Sequence, residues 1–333
     1  MRQVGIIGTG SYVPEDVLTN VDLEKFVDTN DEWIRSRTGI SQRHIAPQDM
    51  PVSELCYQAG LKALEDAQIA PEEVDLIIVA TITPDYAFPA TACIVADRLG
   101  AKNAAAFDLE AGCTGFIYGV VTGSQFVATG MYKTVLVIGG DTLSKVLNWE
   151  DRLTCILFGD GAGAAVLQPV EEEFGFLSSE LGSDGSGGKL LLQPAGGAQC
   201  PASLETVEKN LHTLQMEGKE VYKFAVRIMG DVSVKVLEKA GLTKEDVDLL
   251  IPHQANLRIL EAAVKRLGIS PDNVVVNLDK YGNMSAASIP VALDEASRAG
   301  RLAEGDIIVM VGFGTGLTWG ACVLKWTKRG IKG

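Results

Sequence analysis

"LEDAQIAPEEVDLIIVA" (64–80) and "LEKAGLTKEDVDLLIPH" (237–253) begin 173 residues apart, and Leu, Glu, Ala, Glu, Val, Asp and Leu recur in register between them. Each copy reads as the end of a helix, a short acidic turn and a buried apolar strand. A second echo, "FVATGMYKTVLVIGG" against "ASRAGRLAEGDIIVMVG", aligns Gly130 with Gly300 at an offset of 170. Two echoes in the same order predict a duplicated α/β unit. One half covers 1–172 and the other 173–333.

Outward from these copies, apolar strand candidates alternate with helical patterns, as an α/β layered fold requires. The strands are Val4–Gly8, Leu76–Thr81, Ala104–Leu109, Val135–Gly139, Val274–Leu278 and Ile307–Gly312. Helical periodicity covers Val52–Gln68, Val221–Ala240 and Leu257–Leu267, and the Gly/Ser/Pro-rich stretch 182–204 reads as a long connection. The longest apolar runs, "LIIVA" (76–80) and "IIVMV" (307–311), are far too short to span a membrane. The start "MRQVGIIGTGSYVPEDV" reads as a strand and turn rather than a signal peptide. A net charge of −14 argues against nonspecific binding to nucleic acid or to an anionic membrane. Six cysteines without a CxxC pair and three histidines argue against zinc and for free thiols in a reducing cytoplasm.

One cysteine has a distinctive setting. In "FDLEAGCTGFIYG" (107–119), Cys113 lies between an apolar strand pattern and a helical one, with Gly112 and Gly115 beside it. The repeat offset of 170 pairs it with Asn283 in "YGNMSAAS", predicting two equivalent strand-to-helix turns. A thiol at a helix N-terminus is expected to have a lowered pKa and to act as a nucleophile. Cys56, Cys93, Cys155 and Cys322 fit the ordinary role of small buried hydrophobes. The nucleophile needs a proton relay. His44 and His212 lie in polar, surface-like stretches, whereas His253 closes the apolar run "VDLLIPH", at the end of a strand where α/β sheets gather ligands. "GFGTGL" (312–317) and "FGDGAGAAV" (158–166) are followed by strand-like sequence, so neither is a dinucleotide loop. The amides of the 314–316 turn, Thr315 among them, are instead expected to form an oxyanion hole with the Cys113 N–H.

"EAGCTGF", "IPHQANLRI", "YGNMSAASIP", "GFGTGLTWG", "DTNDEWIRSRTGI" and "LFGDGAGAAV" together resemble the β-ketoacyl-acyl-carrier-protein synthase III family of the thiolase superfamily, over essentially the whole chain. The resemblance implies a five-layered αβαβα thiolase fold, a cytoplasmic homodimer, and acyl-CoA and malonyl-acyl-carrier protein as substrates, with no metal or other cofactor. It implies Cys113 as the acyl acceptor, and His253 and Asn283 as the pair serving decarboxylative condensation. Trp33 and Arg152 match residues that sandwich the coenzyme A adenine, and Thr29, Arg37, Gly218 and Asn256 match further substrate-channel positions. The family's carrier-binding element falls on Gln254, Ala255, Asn256, Leu257 and Arg258, and Lys223 and Arg227 share a helix face beside it. Thr315 stands where some relatives have a third glycine, and Leu153 and Leu157 crowd a region that some members line differently; these departures leave the acyl-primer preference open.

Four other readings compete. A degradative thiolase needs a second cysteine in the C-terminal glycine turn, and 312–320 has none. A condensing enzyme of secondary metabolism keeps the same three residues. A Cys–His–Asn hydrolase or a non-catalytic scaffold leaves the duplication, or the three polar residues, without a reason.

Overall fold

The computed structural model describes residues 1–330. Two sheets carry the fold. The first is built from β1 (Val4–Tyr12), β2 (Leu76–Ala80), β3 (Ala105–Leu109), β4 (Val135–Thr142) and β5 (Asp160–Pro169), in the order β1-β5-β4-β2-β3. Here β2 runs parallel to both β3 and β4, while β5 is antiparallel to β4 and β1. The second contains β6 (Gly175–Ser183), β7 (Leu249–Pro252), β8 (Ile307–Gly314) and β9 (Thr318–Lys325), in the order β7-β8-β9-β6 with only the β7–β8 pair parallel.

Strand residues alternate between faces, and both faces of each sheet are covered. Leu76 and Ile78 point to a central layer, with Ile308 and Met310 arriving from the other sheet. A short helix, α1 (Asp31–Thr38), precedes β2 in the chain. Ile77 and Val79 point outward onto α2 (Val52–Ala67) and α3 (Thr91–Leu99), and Val309 and Val311 pack on α5 (Gly218–Lys239) and α6 (Leu257–Leu267). The central layer is α4 (Gly115–Ala128) and α7 (Ser288–Arg298), whose Phe116, Ile117, Val120, Ile289 and Leu293 are buried between the sheets. Such side chains contribute about 1.5–3 kcal/mol each on burial. The sequence of layers is therefore helix, sheet, helix, sheet, helix, the thiolase-like αβαβα arrangement. No helix among the described residues is long and apolar enough to cross a membrane.

The repeat has one register throughout. The 173-residue offset that relates β2 to β7 also relates the 3₁₀ turn Gly112–Thr114 before α4 to the 3₁₀ turn Ser285–Ala287 before α7. The apparent offset of 170 arises because α7 has 11 residues where α4 has 14. Gly112 therefore corresponds to Ser285, and Asn283 lies two residues ahead of the turn rather than at the position of Cys113.

Val274–Leu278 is not a strand. It makes a single bridge from Val274 to Leu250, after which a short helix, Leu278–Tyr281, takes over. The ladder stops where side chains intervene, because the Asn277 N–H donates to Gln254 Oε1 instead of to a neighbouring strand. Within 182–204, Leu191–Leu192 pairs with Gln215–Met216 and ties the excursion down. Cys93 is exposed on α3, unlike Cys56, Cys155 and Cys322, which are buried as expected.

Candidate active site

Cys113 sits between β3 and α4 on a turn whose left-handed backbone and close packing favour glycine. Gly112 has φ +56°, and a Cβ there would stand 2.5 Å from Thr315 Cγ2. A Cβ on Gly314 would stand 2.7 Å from the Cys113 amide nitrogen. The two glycines thus let the 314–316 turn press directly on the cysteine turn. Thr114 Oγ1 donates to Ala111 O (2.7 Å) and Thr318 Oγ1 lies 2.9 Å from it, fastening the two turns together. Thr315 spends its hydroxyl on Leu191 O (2.5 Å).

His253 follows β7, and its N–H donates to Val311 O at 2.8 Å, fixing the backbone. Its ring meets Phe313 edge-on at 5.7 Å. The side chain is buried, its Nδ1 has no partner, and burial pushes the imidazole down to about 3. At physiological pH it is therefore neutral and able to accept a proton. Asn283 is anchored by its backbone: its N–H donates to Leu157 O (2.8 Å) and its carbonyl accepts from Gly159 N–H (3.0 Å). Its side-chain Oδ1 accepts from Ser285 N–H at 2.9 Å, so the NH₂ is the group left to donate into the cavity that the residue lines.

Cys113, His253 and Asn283 line one cavity of 670 Å³. A second cavity of 600 Å³, walled by Ile82, Leu143, Val146, Leu192 and Leu214, begins on the other side of Cys113. Cys113, Phe158 and Leu191 belong to both walls, so the thiol stands at the junction of two chambers. Phe158 was not foreseen as a site residue. Its backbone bridges to Asn283 and ties the partition to the amide.

The expected low thiol pKa is not what this setting favours. Burial pushes the Cys113 thiol up to about 12; Ser285 and the backbone amide of Cys113 oppose this, and the buried Asp141 carboxylate adds to it. The α4 N-terminus does not outweigh removal from water, so the resting group is a thiol and attack requires a proton acceptor. Asp141 was likewise missed. Its carboxylate, raised by burial, takes hydrogen bonds from Thr81 Oγ1, Ile82 N, Thr83 N and Thr83 Oγ1 on Oδ1. The only sequence signal was a carboxylate closing the apolar run "VLVIGGDT" (135–142).

The other expected residues divide into channel and support. Trp33, Arg37, Leu153, Leu157, Gly218, Asn256 and Arg258 line the 670 Å³ cavity. Trp33 is flanked by Arg37, 4.7 Å from its ring centre, and Arg152, 5.2 Å away and also bonded to Asp28 O (3.0 Å). A flat base entering between Trp33 and Arg152 must lift the guanidinium off the ring. Thr29 lies outside the lining, its hydroxyl buried without a partner. Asn256 caps α6 by accepting from Arg258 N–H at 2.9 Å. Gln254 and Ala255 are buried; the Gln254 amide donates to Pro252 O (2.8 Å) and Val275 O (3.0 Å) and supports the loop, while Ala255 lines the cavity. Leu257 is half-buried and packs against Gly39, while Lys223, Arg227 and Arg258 are exposed. His44 and His212 are half-buried rather than on the surface, bonded to Pro14 O (2.5 Å) and Thr206 Oγ1 (2.9 Å).

The neutral burial of His253 has a measurable consequence. The unfolded chain protonates this ring near pH 6.5, whereas the folded one resists protonation down to about 3. Between these values the unfolded state binds more protons, so this contribution is complete above pH 6.5 and is lost as pH falls toward 3. Asp141 and Asp160, both raised by burial, oppose the trend over the lower part of the window. The melting temperature is expected to fall between pH 7 and 5, and to fall less in His253→Gln, as read by scanning fluorimetry. An equal fall in both proteins would contradict this account.

Comparison with known proteins follows the same lines. Family models described as 3-Oxoacyl-[acyl-carrier-protein (ACP)] synthase III match residues 107–185, and its C-terminal counterpart matches 237–326. Beta-ketoacyl-[acyl-carrier-protein] synthase III of Desulfitobacterium hafniense is 72% identical over 331 residues, covering 99% of this chain and 100% of the relative. The crystal structure of 3-oxoacyl-[acyl-carrier-protein] synthase III from Aquifex aeolicus superposes with a TM-score of 0.90 at 48% identity, over 97% of this chain and 100% of that one. The priming β-ketosynthase of the R1128 polyketide pathway also reaches 0.90, at 35% identity over 97% and 96% of the two chains.

Proposed function

The chain belongs to the 3-oxoacyl-[acyl-carrier-protein] synthase III family, and on that premise we propose roles for its residues in the family's reaction. The protein is a condensing acyltransferase that joins an acyl-CoA primer to malonyl-acyl-carrier protein, the initiating step of fatty acid synthesis. The 72% identity to the Desulfitobacterium hafniense synthase III, against 35% to the polyketide priming synthase, favours this over the secondary-metabolism reading.

One observation carries the assignment of roles: a cysteine from one half of the chain, and a histidine and asparagine from the other, converge on one cavity that opens past the sulfur into a second, apolar one. The chamber lined by Trp33, Arg37 and Asn256 suits the pantetheine arm of either substrate, and the one walled by Ile82, Leu143, Val146 and Leu214 suits the primer's acyl chain. The thiol of Cys113 passes its proton to the neutral His253 and attacks the thioester carbonyl. The oxyanion is met by backbone amides of the 112–113 and 314–316 turns. The proton goes to the departing CoA thiolate, leaving His253 neutral and Cys113 acylated. Malonyl-carrier then enters, CO₂ leaves, and the enolate oxygen accepts hydrogen bonds from the Asn283 NH₂ and His253. Its carbon attacks the acyl-Cys113 carbonyl, the C–S bond breaks, the Cys113 thiolate takes up a proton from solvent to become the resting thiol, and a 3-oxoacyl-carrier is released. Decarboxylation itself supplies the carbanion, so the chemistry as we read it draws on no resident cofactor. Intact-mass detection of acyl-Cys113, followed by its discharge with malonyl-carrier, tests the scheme; free acid in place of 3-oxoacyl-carrier would indicate a hydrolase.

We read the acidic carrier as docking at the channel mouth, since a chain of net charge −14 offers no long-range attraction. Arg258 is the leading contact: it lines the mouth and its guanidinium is steadied by Ser36 O at 2.8 Å. Lys223 is already matched by Glu220 at 2.7 Å, so its charge counts for less. Arg258→Glu is expected to lower kcat/KM for malonyl-carrier by about tenfold at low salt, chiefly through association. Lys223→Glu should lower it less, and acyl-CoA loading should suffer less in both. An unchanged carrier kcat/KM in Arg258→Glu would move the patch elsewhere. We also read the protein as a cytoplasmic homodimer. β3 ends its sheet with an unpaired edge, and Tyr86 and Phe88 nearby are 61% and 85% exposed, features that a second copy would cover.

A further inference from the structure

The turn after Asn283 holds a residue that the mechanism above leaves idle. Ser285 has φ +48°, in the left-handed region that glycine enters freely and other residues rarely enter. At the equivalent place in the first half the chain uses Gly112, at φ +56°. The second half therefore keeps a side chain where the backbone geometry favours having none. That side chain is a hydroxyl, 1% exposed and lining the apolar cavity beside Cys113. Its Oγ completes no hydrogen bond of regular geometry. It shares the wall of that cavity with Cys113, and the N–H of the next residue, Ala286, reaches Asp141 Oδ2, so the hydroxyl stands beside both the thiol and the carboxylate and favours the ionised form of each. Asp141 Oδ1 is saturated by four donors, whereas Oδ2 takes only a 3.3 Å contact from Ala286 N–H. The hydroxyl has one proton to give and two acceptors within reach.

We propose that Ser285 is a third polar group of the loading step, its hydroxyl turned toward Asp141 Oδ2 while Cys113 is a thiol and swinging to donate to Sγ as the thiolate forms. This rests on the reading of Cys113 as the nucleophile. The S–H bond breaks, an N–H bond forms on the His253 imidazole, and serine keeps its own proton, changing only its acceptor. When the thioester forms, CoA leaves with the proton from His253 and the hydroxyl returns to Asp141. The swing also places a dipole between the new thiolate and a buried carboxylate that opposes it. The groups bearing on the thiol are Asp141 from β4, Ser285 and Asn283 ahead of α7, and His253 after β7. Asp108 and Glu110 stand further along the apolar cavity.

Ser285→Gly removes the hydroxyl and the unfavourable Cβ together while keeping the backbone N–H that holds Asn283 Oδ1. The variant is expected to be at least as heat-stable as the wild type. Its Cys113 should be acylated about tenfold more slowly, the loss of one hydrogen bond to a charged group. The pH midpoint for carboxymethylation of Cys113, followed on its own peptide by mass spectrometry, should rise by about one unit. Malonyl decarboxylation by the pre-acylated enzyme should fall far less. Wild-type loading with an unchanged midpoint would overturn the proposal, as would an equal loss in both half-reactions. Should Ser285→Gly lack the native circular dichroism, Ser285→Ala supplies the same two readings. A wild-type Cys113 that takes up no acyl group would instead overturn the nucleophile assignment.

Discussion

Cys113→Ser is expected to leave a folded protein that takes up no acyl group from any acyl-CoA. The substitution exchanges sulfur for oxygen at a site 8% exposed, next to a glycine turn that does not depend on the side chain, so the melting temperature should barely move. Loading is another matter. A hydroxyl is far harder to deprotonate than a thiol, and the one imidazole among the residues lining the cavity, His253, is held by burial at about 3. Such an imidazole can share a proton with a nucleophilic thiol as the C–S bond forms, but it is too weak a base to activate a serine. A loss on the order of 10⁴-fold follows, comparable to disabling a member of a catalytic triad. Intact mass after incubation with a panel of acyl-CoAs should show one added acyl group per wild-type chain and none in the variant. An adduct surviving on exposed Cys93 or half-buried Cys200 would place the chemistry elsewhere.

What the sequence disclosed, and what it withheld, follows from the range of the interactions involved. The strands facing two helix layers are continuous apolar runs, so "LIIVA" and "IIVMV" were legible, as was α6 at Leu257–Leu267. Cys113 and His253, which the structure brings to one cavity, stood out because each ends or follows such a run at a glycine- or proline-marked turn, whereas Asn283 was reached through the repeat. Val274–Leu278 misled because its valines imitate a strand, while Gln254, a distant side chain, takes the amide of Asn277 that a ladder would need. The register between Cys113 and Asn283 misled because a helix shortened by one turn shifts the glycine that follows it. Asp141, Phe158 and Ser285 lay beyond reach for a different reason. Their parts depend on which side chains meet across the central layer, and no local pattern records that Gly139 leaves room for the Ala286 carbonyl. The raised Cys113 thiol belongs to this group too: a helix terminus is visible in sequence, but the degree of burial that overrides it is not.

The site's two functions should separate at Asn283. Its backbone is bonded to Leu157 O and Gly159 N–H, and its Oδ1 to Ser285 N–H, so the side-chain NH₂ is the one group free to meet an enolate oxygen. Asn283→Ala removes that donor, and loss of one preorganised donor costs about 10²–10³ in rate. It also strips the acceptor from Ser285, whose left-handed backbone it helps to hold, and so some loss of stability is expected as well. Asn283→Asp isolates the chemistry. The carboxylate can still accept from Ser285 N–H and keep the turn, yet it presents negative charge where the enolate oxygen develops its own. Malonyl decarboxylation, followed as CO₂ release from pre-acylated enzyme, should therefore fall at least as far in Asn283→Asp as in Asn283→Ala, although the aspartate variant should melt closer to the wild type. Loading of Cys113 makes no enolate, and its oxyanion is met by backbone amides, so acyl uptake should fall much less than decarboxylation in both. If Asn283→Asp decarboxylates at the wild-type rate, the NH₂ is not the enolate donor. If loading and decarboxylation drop together in both variants, Asn283 serves only to shape the junction between the two chambers.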